Sequence, residues 1–348
     1  MSSSNNYNYS FFSKIFHKLV LNSNEILAIF FEIEKKLFLK KTKRHKTKSL
    51  FITGLARSGS TILLKSLYDN GAFGTLKYSD MPFITAPNLW SKINFFQKIT
   101  PFKKERLHMD GIKINETSPE AFEEIFWESQ LNNSLSKKIL IKDDIYNNVV
   151  IENFENFISL ITFKENKNIY LSKNNSNISR IDVLNKKIRN KKILILFRNP
   201  VDQCYSLWKQ HINLIKLQQA DNFILDYMNM LCHYEFGLGH KPFLLSSFKP
   251  TSSPLNVVYW MEYWFMIYSN LLQFTKNDNQ DIAFLSYEKL TNSPELTIVK
   301  ILKMMDINIK NYKNEIHNKK NYSNNLDLNK DIVLKANRLY EELKKNEI

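Results

Sequence analysis

The chain has 348 residues, 43% hydrophobic and 13% aromatic, a composition typical of a globular protein and not of a disordered one. Its formal net charge of +15 favours anionic ligands, such as a phosphate-rich cofactor, nucleic acid or anionic lipid, without choosing among them. The longest apolar run near the start, Ile26 to Phe31, is far shorter than the roughly 20 residues of a membrane-spanning helix. The polar start from Met1 to Ser10 lacks the pattern of a secretory signal, and two cysteines exclude a disulfide framework, so we expect a cytoplasmic protein.

Residues 1–48 are predicted to form a separate helical and basic extension ahead of a main domain over residues 49–348. Apolar residues recur at helical spacing from Phe12 to Phe31 and lead into a lysine-rich run from Lys40 to Lys48. One interpretation is a packing helix followed by a solvated linker. The other is peripheral contact of residues 11–48 with an anionic membrane surface.

From Ser49 onward, short apolar runs alternate with longer periodic segments, which predicts an α/β domain with a central parallel sheet flanked by helices. The predicted strands are Leu50–Thr53, Ile169–Ser172, Ile193–Phe197 and Ile282–Tyr287. The predicted helices are Thr61–Asn70, Glu120–Leu131, Asn153–Phe163, Ile178–Arg189, Val201–Leu217 and Leu255–Phe274. Ser118 is the expected N-cap of the second helix, with Pro119 at its first position.

The first predicted strand leads directly into a glycine-containing loop, Gly54–Thr61, and then into a helix. The two glycines have the spacing of the G-x-x-x-x-G-K-[ST] phosphate loop, in which backbone N–H groups converge on a phosphate at a helix N-terminus. Ser60 stands at the lysine position, so a γ-phosphate would be poorly held. Arg57 instead supplies a guanidinium suited to a phosphate or sulfate.

A second anion site is predicted at the end of the strand Ile193–Phe197. That strand runs into Arg198-Asn199-Pro200, and Asp202 and Ser206 then fall four residues apart on one helix face. Ligands of open α/β sheets bind at such strand ends, so an anion would fit between Arg198 and Ser206. The alternative is that Arg198 pairs with a carboxylate and Ser206 lies on the helix surface.

Together these segments resemble the sulfotransferases. Gly54–Thr61 is similar to their 5′-phosphosulfate loop, Arg198 to Ser206 to their 3′-phosphate segment, and Leu285–Leu290 with Ser293-Pro294-Glu295 to a strand-loop-helix near their C-terminus. The resemblance spans roughly residues 49–308. It implies a P-loop-like three-layer fold with helical insertions.

The resemblance also implies that 3′-phosphoadenosine-5′-phosphosulfate (PAPS) is the co-substrate and that no metal is needed. Its phosphosulfate would contact Arg57, Ser58, Gly59, Ser60 and Thr61, and its 3′-phosphate Arg198 and Ser206. Lys319, Lys320 or Tyr322, in a late basic segment, would close over the nucleotide. Lys173 is a second catalytic cation by resemblance, although Asn175 replaces the proline of the Lys-x-Pro pattern.

A hydroxyl acceptor needs a general base within hydrogen-bond reach. The resemblance favours Asp80, in Tyr78-Ser79-Asp80-Met81-Pro82. The alternative is His108 with Asp110, an imidazole and a carboxylate two residues apart. Either candidate is also explained as a structural residue, so both remain open.

The acceptor is expected to be a small molecule or glycan, with a glycan or glycolipid made in the cytoplasm preferred and no nucleic-acid partner. Two other functions compete with sulfuryl transfer. A P-loop kinase or nucleotide hydrolase would require magnesium-dependent ATP turnover, which the missing loop lysine disfavours. A non-enzymatic polyanion-binding protein would bind through its net charge, with a steep dependence on salt.

Overall fold

The computed structural model describes residues 11–42, 47–93, 104–105, 113–131, 145–243, 245, 250–275, 280–308 and 330–348. Within these ranges, no helix is long and apolar enough to cross a membrane. The main domain is built on a five-stranded sheet, and a separate two-stranded pair, β3–β4, lies outside it. The strands are β1 (Lys48–Thr53), β2 (Phe73–Gly74), β3 (Lys104–Glu105), β4 (Lys113–Ile114), β5 (Ile169–Lys173), β6 (Lys191–Phe197) and β7 (Ile282–Ser286).

The large sheet has the order β2-β5-β1-β6-β7, and all of its neighbouring strands run parallel. In β1, Ile52 lies beside Lys173 of β5, and Thr53 lies beside Ile195 of β6. The carboxyl ends of the parallel strands therefore share one edge. The segments that follow β1, β5, β6 and β7 all begin there.

Helices cover both faces of this sheet. The helices are α1 (Phe11–Leu21), α2 (Asn24–Phe38), α3 (Ser60–Tyr68), α4 (Pro87–Ile93), α5 (Glu123–Gln130), α6 (Asn148–Lys164), α7 (Ile181–Lys187), α8 (Pro200–Ala220), α9 (Asn222–Met230), α10 (Val257–Leu272), α11 (Tyr287–Asn292), α12 (Pro294–Met304) and α13 (Lys330–Lys345). Alternate residues of the strands enter two apolar clusters, as the two-residue repeat of a strand requires. Leu50 and Ile52 pack with α3 and α12 on one face, and Phe51 packs with α6 and other helices on the opposite face.

This arrangement confirms the α/β fold class and the four predicted strands. The expected start of α5 was wrong, because the helix begins at Glu123 and Phe122 occupies the N-cap. Ser118 instead accepts a hydrogen bond from the N–H of Asn115 at 3.0 Å. Pro119 pairs with Lys77 in an isolated antiparallel β-bridge. A serine–proline pair thus closes a turn ahead of the helix and does not cap it.

The extension packs against the main domain through α2. Leu27, Phe31 and Phe38 are buried in the same apolar cluster as Phe51 of β1. Glu34, also fully buried, accepts hydrogen bonds from the backbone N–H groups of Asn88 and Leu89, at 2.8 and 2.9 Å, and so caps α4. The predicted packing face therefore exists, while the division of the chain at residue 48 stays a prediction.

Candidate active site

The loop after β1 begins at Gly54, whose backbone φ is +129°. A side chain could not stand here, because a Cβ atom would lie 2.1 Å from the backbone oxygen of Leu196 in β6. Gly59, at φ +87°, ends the loop as the N-cap of α3. The close approach of loop and sheet at Gly54 thus explains why this loop carries a glycine there.

Ser58 and Ser60 lie at the start of α3, where the helix offers unpaired N–H groups and the positive end of its dipole. The Ser58 side chain is fully buried, and its Oγ has no hydrogen-bond partner among the described residues. A buried hydroxyl without a partner costs about 1–3 kcal/mol. The position of this hydroxyl, inside a loop at a helix N-terminus, is suited to an anion.

Arg198 follows β6 directly, and α8 begins at Pro200 with Asn199 as its cap. The Arg198 side chain is only 6% exposed, and its Nε and Nη2 atoms have no hydrogen-bond partner in the described part of the chain. The guanidinium lies over the ring of Tyr287, 4.4 Å from the ring centre to Cζ. Among the described residues no carboxylate forms an ion pair with Arg198, in contrast to the sequence alternative.

The two predicted anion sites are in contact. Nε of Arg57, in the loop, donates a hydrogen bond to Oγ of Ser206, on α8, at 2.9 Å. Ser206 is itself buried at 8% exposure, so the alternative that placed it on the helix surface is wrong. Arg57, Ser206 and Arg198 therefore belong to one continuous region, at the carboxyl ends of β1 and β6.

The third segment supports the other two. Tyr287, at the start of α11, packs beneath Arg198 and against Gly59, where an added Cβ would lie 2.8 Å from its Cδ2 atom. The next residue, Glu288, accepts hydrogen bonds from the N–H of Asn199 at 3.0 Å and from the hydroxyl of Tyr340 at 2.9 Å. The late strand-loop-helix thus packs against the start of the 198–206 segment.

Sequence reasoning did not identify Gln203 and Tyr268, which join the loop to the strand beside it. The Gln203 amide contacts the backbone of Leu55, Ala56 and Arg198, and the Tyr268 hydroxyl donates to the backbone oxygen of Leu196 at 2.7 Å. Gln203 lies within the 198–206 segment that the sequence pattern identifies. Its contacts could not be predicted from that pattern, because they depend on how α8 is rotated relative to the loop.

Lys173 lies at the end of β5, beside Ile52 and one residue short of the level of Thr53. The next residue, Asn174, donates its N–H to the backbone oxygen of Ile52 at 3.0 Å. Lys173, the last residue of β5, and Arg198, the first residue after β6, therefore lie at the ends of the two strands that flank β1, on either side of the loop. This position is compatible with the role that the resemblance implies for Lys173.

Asp80 lies away from the loop and from the 198–206 segment. Its buried carboxylate pairs with Lys164 and accepts the N–H of Lys77 at 2.9 Å. Burial acts to lower the pKa of Lys164, but the charges of Asp80 and Glu165 outweigh that effect and raise the pKa. Because Lys164 ends α6 just before β5 starts, this cluster lies towards the amino-terminal edge of the sheet, opposite the loop. The structure does not bring Asp80 to the anion-binding residues.

His108 and Asp110 lie outside the described residues, as do Lys319, Lys320 and Tyr322. The choice between the two base candidates therefore stays open. Among the described residues, no group of three or more histidine, cysteine, aspartate or glutamate side chains is arranged to hold a metal ion.

Comparison with known proteins identifies the family of the chain. The family model of the sulfotransferase domain matches residues 47–343, so the chain belongs to the sulfotransferase family. It superposes on sulfotransferase STF1 from Mycobacterium tuberculosis with a TM-score of 0.50 and 12% identity, covering 94% of this chain and 84% of that one. STF9 from Mycobacterium avium gives a TM-score of 0.48 at 12% identity, covering 96% and 77%. At this identity the likeness to STF1 shows a common fold, and no curated protein matches the chain.

Proposed function

We propose that this sulfotransferase uses PAPS as its donor and holds it across the contact between the loop and the 198–206 segment. The observation that carries the proposal is the buried Arg198 guanidinium, whose Nε and Nη2 atoms lack a hydrogen-bond partner among the described residues. Leaving a charged group unpaired in the interior is costly unless a ligand completes its interactions. A phosphate fits this need because its oxygens accept two parallel bonds from one guanidinium.

The remaining contacts divide between the two ends of the nucleotide. We assign the 5′-phosphosulfate to Arg57, Ser58, Gly59, Ser60 and Thr61, at the N-terminus of α3. The 3′-phosphate is assigned to Arg198 and Ser206. The hydrogen bond between Arg57 and Ser206 supports the assignment, because it brings the two sites close enough for one small nucleotide to reach both.

In this reaction the acceptor oxygen forms a bond to sulfur while the bond from sulfur to the phosphate oxygen breaks, which leaves adenosine 3′,5′-bisphosphate. The protein has to align these groups and stabilise the charge that develops on the leaving phosphate. Arg57 and Lys173 are the cations that we assign to this charge. The acceptor proton passes to the general base, for which the pair His108/Asp110 is one candidate. Asp80, the other, would have to leave its ion pair with Lys164 to act in this role.

Calorimetric titration with adenosine 3′,5′-bisphosphate tests the donor site. Losing a hydrogen-bonded charged partner costs about 1.5–3 kcal/mol, so Arg198→Met is expected to bind about 10- to 100-fold more weakly. The variant should unfold within about 1 kcal/mol of the wild type. It removes a buried charge whose one cation–π contact in the described part of the chain is with the Tyr287 ring.

Arg189→Met is the matched control, because this exposed arginine lies in the turn before the amino end of β6, at the opposite edge of the sheet. Its affinity for the bisphosphate should equal that of the wild type. Unchanged binding by Arg198→Met would refute the proposed site. Equal weakening in both variants would point instead to general attraction by the net charge.

We also propose that the acceptor is a hydroxyl group of a glycan or glycolipid made in the cytoplasm. Sulfotransferases act on small-molecule acceptors, and the finer choice carries over the expectation from the sequence. Mass spectrometry of metabolites and surface glycans, with the gene expressed or deleted, would reveal the added sulfate. A sulfated peptide or phenol in place of a sulfated sugar would overturn this part of the proposal.

A peripheral membrane contact through residues 11–48 would bring such an acceptor to the enzyme. Opposite its buried face, α2 exposes a row of apolar residues four apart, Ile29, Ile33 and Leu37, at 58%, 37% and 49%. Exposed lysines, Lys36, Lys40 and Lys41, surround the end of this row. An apolar row bordered by lysines suits the surface of an anionic membrane.

Co-sedimentation with phosphatidylcholine vesicles, with and without phosphatidylglycerol, tests this contact. The wild type should pellet with the anionic vesicles, and the triple variant Ile29→Gln, Ile33→Gln, Leu37→Gln should not. Leu296→Gln with Val299→Gln is the matched control, because it alters exposed apolar residues on α12. Equal pelleting of the wild type and the triple variant would exclude this row as the contact.

A further inference from the structure

One buried amide joins the two anion sites. The Gln203 side chain is fully buried, and its Nε2 donates to the backbone oxygens of Leu55 and Ala56 at 3.2 and 3.0 Å. Its Oε1 accepts from the backbone N–H of Arg198 at 3.1 Å and from the indole of Trp264 at 2.9 Å. Leu55 and Ala56 belong to the loop, and Arg198 begins the second anion segment.

The network fixes the orientation of this amide. Two carbonyl oxygens face its nitrogen, and two N–H groups face its oxygen, so the reversed orientation would break all four contacts. Tyr268 reinforces the connection, because its hydroxyl accepts the N–H of Leu55 at 3.2 Å and donates to Leu196 of β6 at 2.7 Å. Gln203 and Tyr268 thus connect the loop to β6 and to Arg198, the residue that follows it.

We infer that Gln203 is a positioning residue that sets the separation of the two anion sites to that of the 5′- and 3′-phosphates of one nucleotide. The inference rests on the proposed donor site. Gln203 makes its bonds to protein backbone and side chains, so it acts on the ligand only through Leu55, Ala56 and Arg198. A site held at the correct separation before binding gains affinity mainly for the ligand that occupies both halves at once.

The test compares three ligands by calorimetry: adenosine 5′-monophosphate for the loop, adenosine 3′-monophosphate for the 198–206 segment, and the 3′,5′-bisphosphate for both. In Gln203→Met, which keeps the length of the side chain, affinity for each monophosphate should stay within about 3-fold of the wild type. Affinity for the bisphosphate should fall by about 10-fold or more, since the benefit of fixed separation is lost. Equal loss for all three ligands, or no loss for the bisphosphate, would overturn the inference.

Gln218→Met is the matched control, because Gln218 is a buried glutamine on the same helix whose Oε1 accepts from the N–H of Leu238. It should leave the ratio of bisphosphate to monophosphate affinity unchanged. If Gln203→Met does not fold, Tyr268→Phe removes a hydroxyl of the same network and should lower the same ratio. An unchanged ratio in Tyr268→Phe would then overturn the inference.

The same data separate this inference from the proposed function. A wild type that binds the bisphosphate no better than either monophosphate would refute the two-ended donor site itself. A wild type with a clear bisphosphate preference that Gln203→Met retains would refute only the role of Gln203.

Discussion

Gly54 shows how tightly the loop approaches the sheet. Replacing it with alanine adds two costs: the unfavourable positive φ, and a Cβ atom 2.1 Å from the Leu196 oxygen, a backbone atom that cannot move aside alone. Gly71 has a positive φ of +76°, but an added Cβ would meet no atom within 4 Å. Replacing Gly71 with alanine therefore measures the cost of the positive φ alone.

We therefore expect Gly71→Ala to lower the free energy of unfolding by about 1 kcal/mol and Gly54→Ala to lower it by about 3 kcal/mol or more. Urea denaturation measures both values. Gly54→Ala should also weaken binding of adenosine 3′,5′-bisphosphate, and Gly71→Ala should not. Equal losses of stability would mean that the loop relaxes away from β6.

Asp80 offers a test that distinguishes a structural carboxylate from a catalytic base. In Asp80→Asn, the buried ammonium of Lys164 loses the carboxylate that pairs with it, so the free energy of unfolding should fall by about 3 kcal/mol. Affinity for the bisphosphate should stay unchanged, because the pair lies at the other edge of the sheet. A folded variant of wild-type stability with a greatly reduced kcat would instead favour Asp80 as the base.

For individual residues, the sequence was informative where the predicted role follows from a position near the end of a strand. Arg198 comes directly after a predicted strand, and Arg57, Ser58 and Ser206 lie in the loop or helix that follows one, so a parallel sheet had to bring them to one edge. Gln203 could not be assigned in the same way, since its four partners come from three separate segments. Contacts of that kind depend on packing angles that no local pattern encodes.

Elements with strong local patterns were predictable for the same reason. The strands β1, β5, β6 and β7 are short apolar runs bounded by polar residues, and each was found within two residues of its expected limits. The strand β2 has only two residues, Phe73 and Gly74, and was missed because its pairing with β5 is purely tertiary. The helix α13 was also missed, although Ala336, Leu339 and Leu343 repeat at helical spacing, because an Asn- and Lys-rich stretch precedes it.

Two histidines, His211 on α8 and His240 between α9 and α10, make the stability of the fold depend on pH. His211 accepts the N–H of Gly237 at 3.1 Å, and His240 contacts the hydroxyl of Tyr259 at 2.7 Å through Nε2. Burial lowers the pKa of each imidazole from 6.5 to about 4. Below pH 6.5 the unfolded chain therefore binds protons that the folded protein does not, so stability should fall as the pH drops from about 6.5 to 4.

We expect this pair to contribute a loss on the order of 1 kcal/mol per pH unit in that range, since each fully shifted group contributes at most about 1.4. The variant His211→Asn, His240→Gln keeps hydrogen-bonding atoms near Nδ1 and Nε2 without a titratable ring. Urea denaturation at pH 7 and pH 5 should show a smaller loss for the variant than for the wild type. Parallel losses would assign the acid sensitivity to other groups.

For the whole molecule, strand order decides that the loop after β1 and the segment after β6 lie side by side. Because β1 lies directly beside β6 in the sheet, the loop after β1 and Arg198 after β6 open at neighbouring points of the same edge. The same order places Lys173 on the other side of the loop. The net charge of +15 adds long-range attraction for any polyanion, but it does not supply this geometry.

Thermal unfolding with ligands separates the geometric site from general charge and from a kinase-like site. A ligand at 100 times its Kd stabilises the folded state by about 2.7 kcal/mol, which corresponds to a rise in Tm of about 4 °C for a chain of this size that unfolds as one unit. Adenosine 3′,5′-bisphosphate should give this rise with EDTA present. At the same ligand concentration Arg198→Met should show a rise of about 2 °C or less, because the ligand is then at only about 1 to 10 times the variant's Kd. ATP with magnesium should give a smaller rise, because Ser60 stands where a triphosphate-binding loop has its lysine. A magnesium-dependent shift larger for ATP than for the bisphosphate would favour a kinase or hydrolase, since the loop would then hold a γ-phosphate despite that serine.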